Sequence, residues 1–244
     1  MTIIAIAAVL AGAVASVSGF GIGSLLTPVL VLSLPMPTAD AVAVLAVPHA
    51  LATAIRWVRL RRDVHRPTFR EFGVASAAGG LAGAALQARL SSPVLTVVLA
   101  TLLVLAGTTE LLRRRVPLPR TPRWRLAGGA LSGLFGGLVG NQGGIRAAAL
   151  LGFELRPREL VATATASALL VDAARVPIYF LSAGSVIAGS TRLLAVIAVG
   201  VTIGTFIGVP LLGRIPESMY RRVVGGLLIA LGVWLLVAGM AARL

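Results

Sequence analysis

Arg146 stands two residues beyond Gly140-Asn-Gln-Gly-Gly144, in the middle of a long apolar stretch. That spacing is one that can hold an oxyanion. Glycines let main chain approach a ligand closely. Asn141 and Gln142 offer neutral donors, and an arginine offers a planar fork of N–H groups. Where a helix restarts after such a break, its free N–H groups and positive dipole end favour an anion. A second group follows in a later apolar segment. Asp172 and Arg175 lie three residues apart on one helical face, with Tyr179 four residues further and Thr163 and Thr165 ahead of them. The first half of the chain carries a paler copy: Gly19-Phe-Gly-Ile-Gly23 flanked by Ser18, Ser24 and Thr27, then Pro48-His49, Thr53 and Arg56. The expected anion-binding set is Arg146, Asn141, Gln142, Gly140, Gly143, Gly144 and Arg175, with Gly21, Gly23 and Ser24 from the first break. Asp172 and His49 are the expected proton-coupling groups.

Each assignment has a plainer counterpart. Asp172 and Arg175 can simply neutralise one another between helices. His49 has no carboxylate within reach along the sequence, which favours a packing role. Arg56 opens an arginine-rich connector and reads as an interfacial anchor. The Asn-Gln-Gly-Gly-x-Arg group is harder to explain away, because arginine beside a helix break has little packing value.

The elements that must position these groups are set by composition. The chain has 244 residues, 57% hydrophobic and only 12% charged, with mean hydropathy +0.96. Soluble domains carry about 25% charged residues. Apolar runs of spanning length recur from end to end, so the chain is polytopic. Eight segments are read: 3–34, 39–60, 72–88, 93–112, 126–153, 159–181, 193–213 and 219–241. Six have ordinary spanning length. The first and fifth would run about 40–48 Å as straight helices, against a core of about 30 Å. Both carry the glycine breaks at their middle, so each reads as two short arms. Irregular backbone survives at membrane depth only when it is enclosed in protein or lines a cavity.

The pattern repeats at an offset near 121. Gly19 matches Gly140, Gly23 matches Gly144 and Gly83 matches Gly204; with small gaps Arg56 matches Arg175 and Pro93 matches Pro216. The two repeats are 1–118 and 119–244, each a glycine-broken segment plus three transmembrane helices. All 22 basic residues are Arg, against 8 acidic ones, a formal charge of +14. If all eight segments cross, the connectors divide 14 arginines against 6. If the broken segments are hairpins that return to their own side, the division is 17 against 3, with Arg89, Arg192 and Arg243 outside. The positive-inside rule prefers the second arrangement, which makes the repeats inverted. Broken helices at matching positions of duplicated halves point to a transport site.

The same charge, with a pI near 12, sits in short connectors, so it reads as membrane orientation and headgroup contact rather than nucleic-acid binding. The chain has no Cys and two His, which excludes disulfides and iron–sulfur clusters and makes a metal cluster unconvincing. No nucleophile motif is present, and Gly19-Phe-Gly-Ile-Gly23 lacks the strand a dinucleotide loop requires. No enzymatic activity and no cofactor are expected.

Ser18-Gly-Phe-Gly-Ile-Gly-Ser24 with Pro28, Leu131-Ser-Gly-Leu-Phe-Gly136 running into Gly140–Gly144, the arginine-rich loop after the second segment, and Gly83 with Gly204 carry a resemblance. Over nearly its whole length the chain resembles the TauE/SafE family of membrane permeases. The resemblance implies transport of a sulfur-containing anion such as sulfite or an organosulfonate, usually outward, in a bacterial inner membrane. Asn141, Gln142, Arg146, Asp172, Arg175 and Tyr179 depart from the family's commoner pattern. The expected fold is therefore all-α and multi-pass. The expected partners are a small anion, protons as coupling ion, and membrane lipids. Competing readings are an uptake permease for another small anion or a carboxylate, and a non-transporting scaffold.

Overall fold

The computed structural model describes residues 1–18, 22–112, 121–212 and 215–241. Gly19 and Gly21 of the first break lie outside the described residues, as do Arg113, Arg114, Arg115, Arg120, Arg214 and Arg243 of the connectors. Among the described residues the regular structure is helical throughout. The first apolar segment forms α1 (Thr2–Ser18) and α2 (Ile22–Ser33); the second forms α3 (Thr38–Leu60). A short turn α4 (Arg66–Thr68) and a π-helical turn (Phe69–Gly73) lead into α5 (Val74–Gln87), and α6 spans Ser92–Leu111. The second half repeats the order with α7 (Pro122–Val139), α8 (Gly143–Leu150), α9 (Pro157–Gly189), α10 (Thr191–Leu212) and α11 (Glu217–Ala241).

Several helix starts are written locally. Proline occupies the first turn of α6, α7 and α9, where a missing N–H leaves nothing unsatisfied. Helix α7 ends because Gly140 adopts a left-handed conformation, φ 72°. Its N–H donates to Gly136 O at 3.1 Å, and Asn141 N–H donates to Phe135 O at 3.3 Å. That closes the last carbonyls of α7, and only glycine enters this region without strain.

Among the described residues, five helical spans are long and apolar enough to cross a membrane: those beginning at Thr38, Ser92, Pro157, Thr191 and Ser218. The third segment is helical without interruption from Arg66 to Gln87, but the π-turn divides it. The arms of the broken segments are short: α2 has 12 residues and α8 has 8, about 18 Å and about 12 Å of helix. Helix α9 is longer than its expected 159–181. It continues to Gly189 through a kink at Ala183, φ −137° and ψ 24°. Large apolar side chains face outward, Leu181 with 85% of its surface exposed and Trp234 with 61%. Lipid is the solvent that accepts such a surface.

Helices from the two halves interleave. Helix α1 packs along α10, α7 along α5, α3 along α9 and α6 along α11. Small residues make the first two seams. A Cβ on Gly12 would overlap the main chain of Val201, and one on Gly133 would overlap Ser76 and Gly80. Gly12 and Gly133 are 121 residues apart, as are Gly80 and Val201. Close backbone approach of this kind is how membrane helices pack when no aqueous driving force acts between them.

Connectors of the two halves also meet. Arg158 pairs with Asp63 at 2.9 Å and Arg221 with Glu110 at 3.1 Å. The connector after α3 therefore sits beside the start of α9, and the end of α6 beside the start of α11.

Candidate functional site

The two breaks touch. A Cβ on Gly23, at the start of α2, would overlap the carbonyl oxygen of Gly140. Next to that contact Ser24 Oγ donates to Asn141 Oδ1 at 2.9 Å. Ser24 is 1% exposed and Asn141 5%. One side chain from each break thus forms a buried cross-link between halves separated by more than a hundred residues. Ser132 Oγ donates to Gln142 O at 3.3 Å, holding the peptide that opens α8.

Around this junction lies a buried polar cluster built from two facing stripes. On α3, His49, Thr53 and Arg56 follow one another at spacings of four and three. On α9, Asp172, Arg175 and Tyr179 follow at three and four. Both patterns keep one helical face. Because α3 packs on α9, the stripes meet: His49 Nδ1 lies 2.7 Å from Asp172 Oδ2. No carboxylate is within reach of His49 along the sequence; its partner is 123 positions away in sequence and adjacent in space. Asp172 Oδ1 receives Arg175 Nε at 2.9 Å and Nη2 at 2.8 Å. Asp172 is fully buried, and both of its oxygens are engaged by these partners.

Arg175 and Tyr179 also cap α7. Arg175 Nη1 donates to Gly136 O, and Tyr179 Oη donates to Gly137 O. These carbonyls belong to the last turn of α7, the negative end of the helix dipole, where a positive charge is favoured. Arg175 therefore positions the break, with its donors committed to Asp172 and Gly136. Thr163 also serves the scaffold: its hydroxyl accepts the His65 N–H at 3.0 Å, and Thr165 donates to Val161 O within α9.

Arg146 is different. It is 7% exposed, on the inward face of α8 with Gly143 and Ala149. It makes no side-chain hydrogen bond or ion pair with any described residue, and its Nη1 is enclosed without a partner. Gln142, 1% exposed, leaves both amide atoms unpaired, and Thr27 Oγ1 is enclosed and unpaired as well. Buried polar atoms almost always find partners. Here four unpaired polar atoms, on Thr27, Gln142 and Arg146, flank the junction of the breaks. Of the remaining expected residues, Gly143 begins α8 on this face and Gly144 lies on the other, while Gly21 lies outside the described residues.

A cavity of about 730 Å³ reaches the junction from another side. It is walled by α6, α8 and the start of α9, touches Asn141 and Gly144, and has Glu110 and Arg221 at its rim. Its lining is mostly apolar and lies on the face of α8 turned away from Arg146. It is therefore a groove beside the charged cluster, separate from the inward face of α8 that carries Arg146.

The family model described as Sulfite exporter TauE/SafE matches residues 4–235. The chain belongs to the TauE/SafE family. No curated protein and no solved structure matches it. Membership makes this a multi-pass membrane transporter of the sulfite-exporter type, in agreement with the five long apolar spans. In this TauE/SafE member Arg56, read from the sequence as an interfacial anchor, is half-buried, with Nη1 donating to Ala15 O at 3.4 Å and Nε enclosed.

Proposed function

We propose that this TauE/SafE member exports a small sulfur-containing anion, sulfite or an organosulfonate, by alternating access around the junction of its two breaks. The observation that carries the reading is Arg146: a buried, unpaired guanidinium between helix starts, beside the unpaired amide of Gln142 and hydroxyl of Thr27. A charge at membrane depth without a protein partner is costly and calls for a ligand of opposite sign. Arg146 binds the oxyanion through its fork, and main-chain N–H groups of Gly143 and Gly144 complete the cradle. Gln142 orients the anion, and Asn141, tied to Ser24, couples its seat to the first half.

The repeats 1–118 and 119–244 are read as inverted, with α1–α2 and α7–α8 as hairpins. The short arms and the ion pairs between connectors support that reading. The His49–Asp172 pair, bridging α3 and α9, is the proposed proton-coupling element. Rocking of one repeat against the other would move these contacts together.

The experiment is thermal unfolding of the purified protein across sulfite, thiosulfate, sulfate, sulfoacetate, acetate and chloride. A ligand that binds the folded state raises its stability by mass action. A selective rise with one sulfur oxyanion, absent in Arg146→Ala of normal expression and fold, is the expected result. An unchanged response in Arg146→Ala removes Arg146 from the site. No response to any anion removes the anion-carrier reading.

A further inference from the structure

The two halves of the site are unequal in charge. In the second half Arg175 Nη1 caps Gly136 O while Nε and Nη2 hold Asp172. In the first half Arg56 Nη1 points at Ala15 O. Ala15 and Gly136 are 121 residues apart, the offset of the repeat, so the two arginines cap equivalent turns of α1 and α7. The acid is missing from the first copy. Three residues before Arg175 stands Asp172; three residues before Arg56 stands Thr53. The Nε that meets a carboxylate in Arg175 is enclosed and unpartnered in Arg56.

The surplus is larger than one charge. Arg56, Arg146 and Arg175 share this cluster with one described carboxylate, Asp172, whose oxygens are already taken by Arg175 and His49. With His49 neutral, two positive charges remain uncompensated in the cluster. Arg56 reaches the last turn of α1 beside the first break, and Arg146 lies in the first turn of α8 beside the second, where the two breaks touch. Like charges gathered at one junction inside a membrane repel strongly unless an anion lies between them.

We infer that Arg56 is a second anion ligand, that the substrate occupies the place which the Asp172 carboxylate fills in the other half, and that the Arg56–Arg146 pair selects an oxyanion carrying two negative charges. The inference rests on the proposed anion site and adds its charge class. It assigns the second cationic contact to Arg56, where the sequence reading had placed Arg175.

The test compares thiosulfate, a dianion, with methanesulfonate, a monoanion, by thermal-shift titration of the full chain in detergent. The wild-type protein should favour thiosulfate by about tenfold or more, as expected for an added charge-assisted contact. Arg56→Gln should lose that preference, its thiosulfate affinity falling by more than its methanesulfonate affinity, and Arg56→Lys should restore most of it. Thr53→Asp rebuilds the acid–arginine pair of the second half, supplies the missing charge from within, and should also abolish the dianion preference. This second variant decides the matter if Arg56→Gln does not fold. A thiosulfate preference unchanged in Arg56→Gln or in folded Thr53→Asp overturns the inference and leaves the anion site standing. A wild-type protein that binds both anions equally overturns it likewise. Binding of neither anion overturns the site and the inference together.

Discussion

At His49 the packing and coupling readings meet in a single hydrogen bond. Its Nδ1 meets Asp172 Oδ2 at 2.7 Å, and Arg175 and Arg146 are the other charges that act on it. A histidine tied to a carboxylate on a facing helix can take up or release a proton if the two helices separate. Glutamine at this position keeps a donor for Asp172 but cannot carry the proton. His49→Gln should therefore preserve folding and flatten the dependence of transport on pH, measured in proteoliposomes between about pH 6 and about pH 8. A profile parallel to wild type would return His49 to a packing role. Asp172→Asn is a harsher change, since it leaves Arg175 buried beside a neutral group; loss of one partner of a buried pair costs about 3–5 kcal/mol. The partnership was not legible in the sequence because nothing along either segment links positions 49 and 172. The two stripes were visible one by one. What the sequence lacked was the contact of α3 with α9 that brings them together.

Among elements, the breaks carry the most specific backbone demands. Gly140 needs glycine for its dihedral angle, while Gly23 needs it for space against Gly140 O. These are separable. An alanine at Gly140 meets no atom closer than Thr27 Oγ1 at 3.5 Å, so its cost is the left-handed strain of about 1–2 kcal/mol. An alanine at Gly23 meets main chain and forces the two breaks apart. Gly23→Ala should lower the unfolding temperature more than Gly140→Ala and should impair transport more severely. The reverse order in a thermal melt of the two variants would mean that the breaks are not in contact. The breaks themselves were legible, because glycine clusters interrupt runs too long for one crossing. The course of α9 beyond residue 181 and the π-turn at Phe69–Gly73 were not. Both run through sequence that reads as the end of a segment, charged at Arg70 and Glu71 in one case and rich in Ser and Gly at 182–185 in the other, so hydropathy and propensity mark a boundary where the helix continues.

For the whole molecule the open issue is which connectors share a side of the membrane, and two ion pairs bear on it. Arg158 with Asp63 and Arg221 with Glu110 are partly exposed and contribute little energy, about 0–1 kcal/mol each. Their value is positional. If all eight segments crossed, the connector before α9 would lie opposite the one after α3, and that before α11 opposite the one after α6; neither pair could then form. Hairpins at the breaks bring all four connectors to one side, the side on which the arginine count also places them. The chain has no cysteine, so single cysteines report without background. Arg62, Arg89, Arg156 and Arg192 are all exposed. With a membrane-impermeant maleimide on intact cells, Arg89→Cys and Arg192→Cys should react from outside, and Arg62→Cys and Arg156→Cys only after permeabilisation. Eight crossings would instead pair Arg89→Cys with Arg156→Cys, and Arg62→Cys with Arg192→Cys. That result would separate Arg158 from Asp63 across the bilayer and remove the basis for inverted repeats. The paired reactivity of positions 89 and 192 would make the two halves mirror each other across the membrane. Each break would then serve as the returning arm of its own half, meeting the other at the anion.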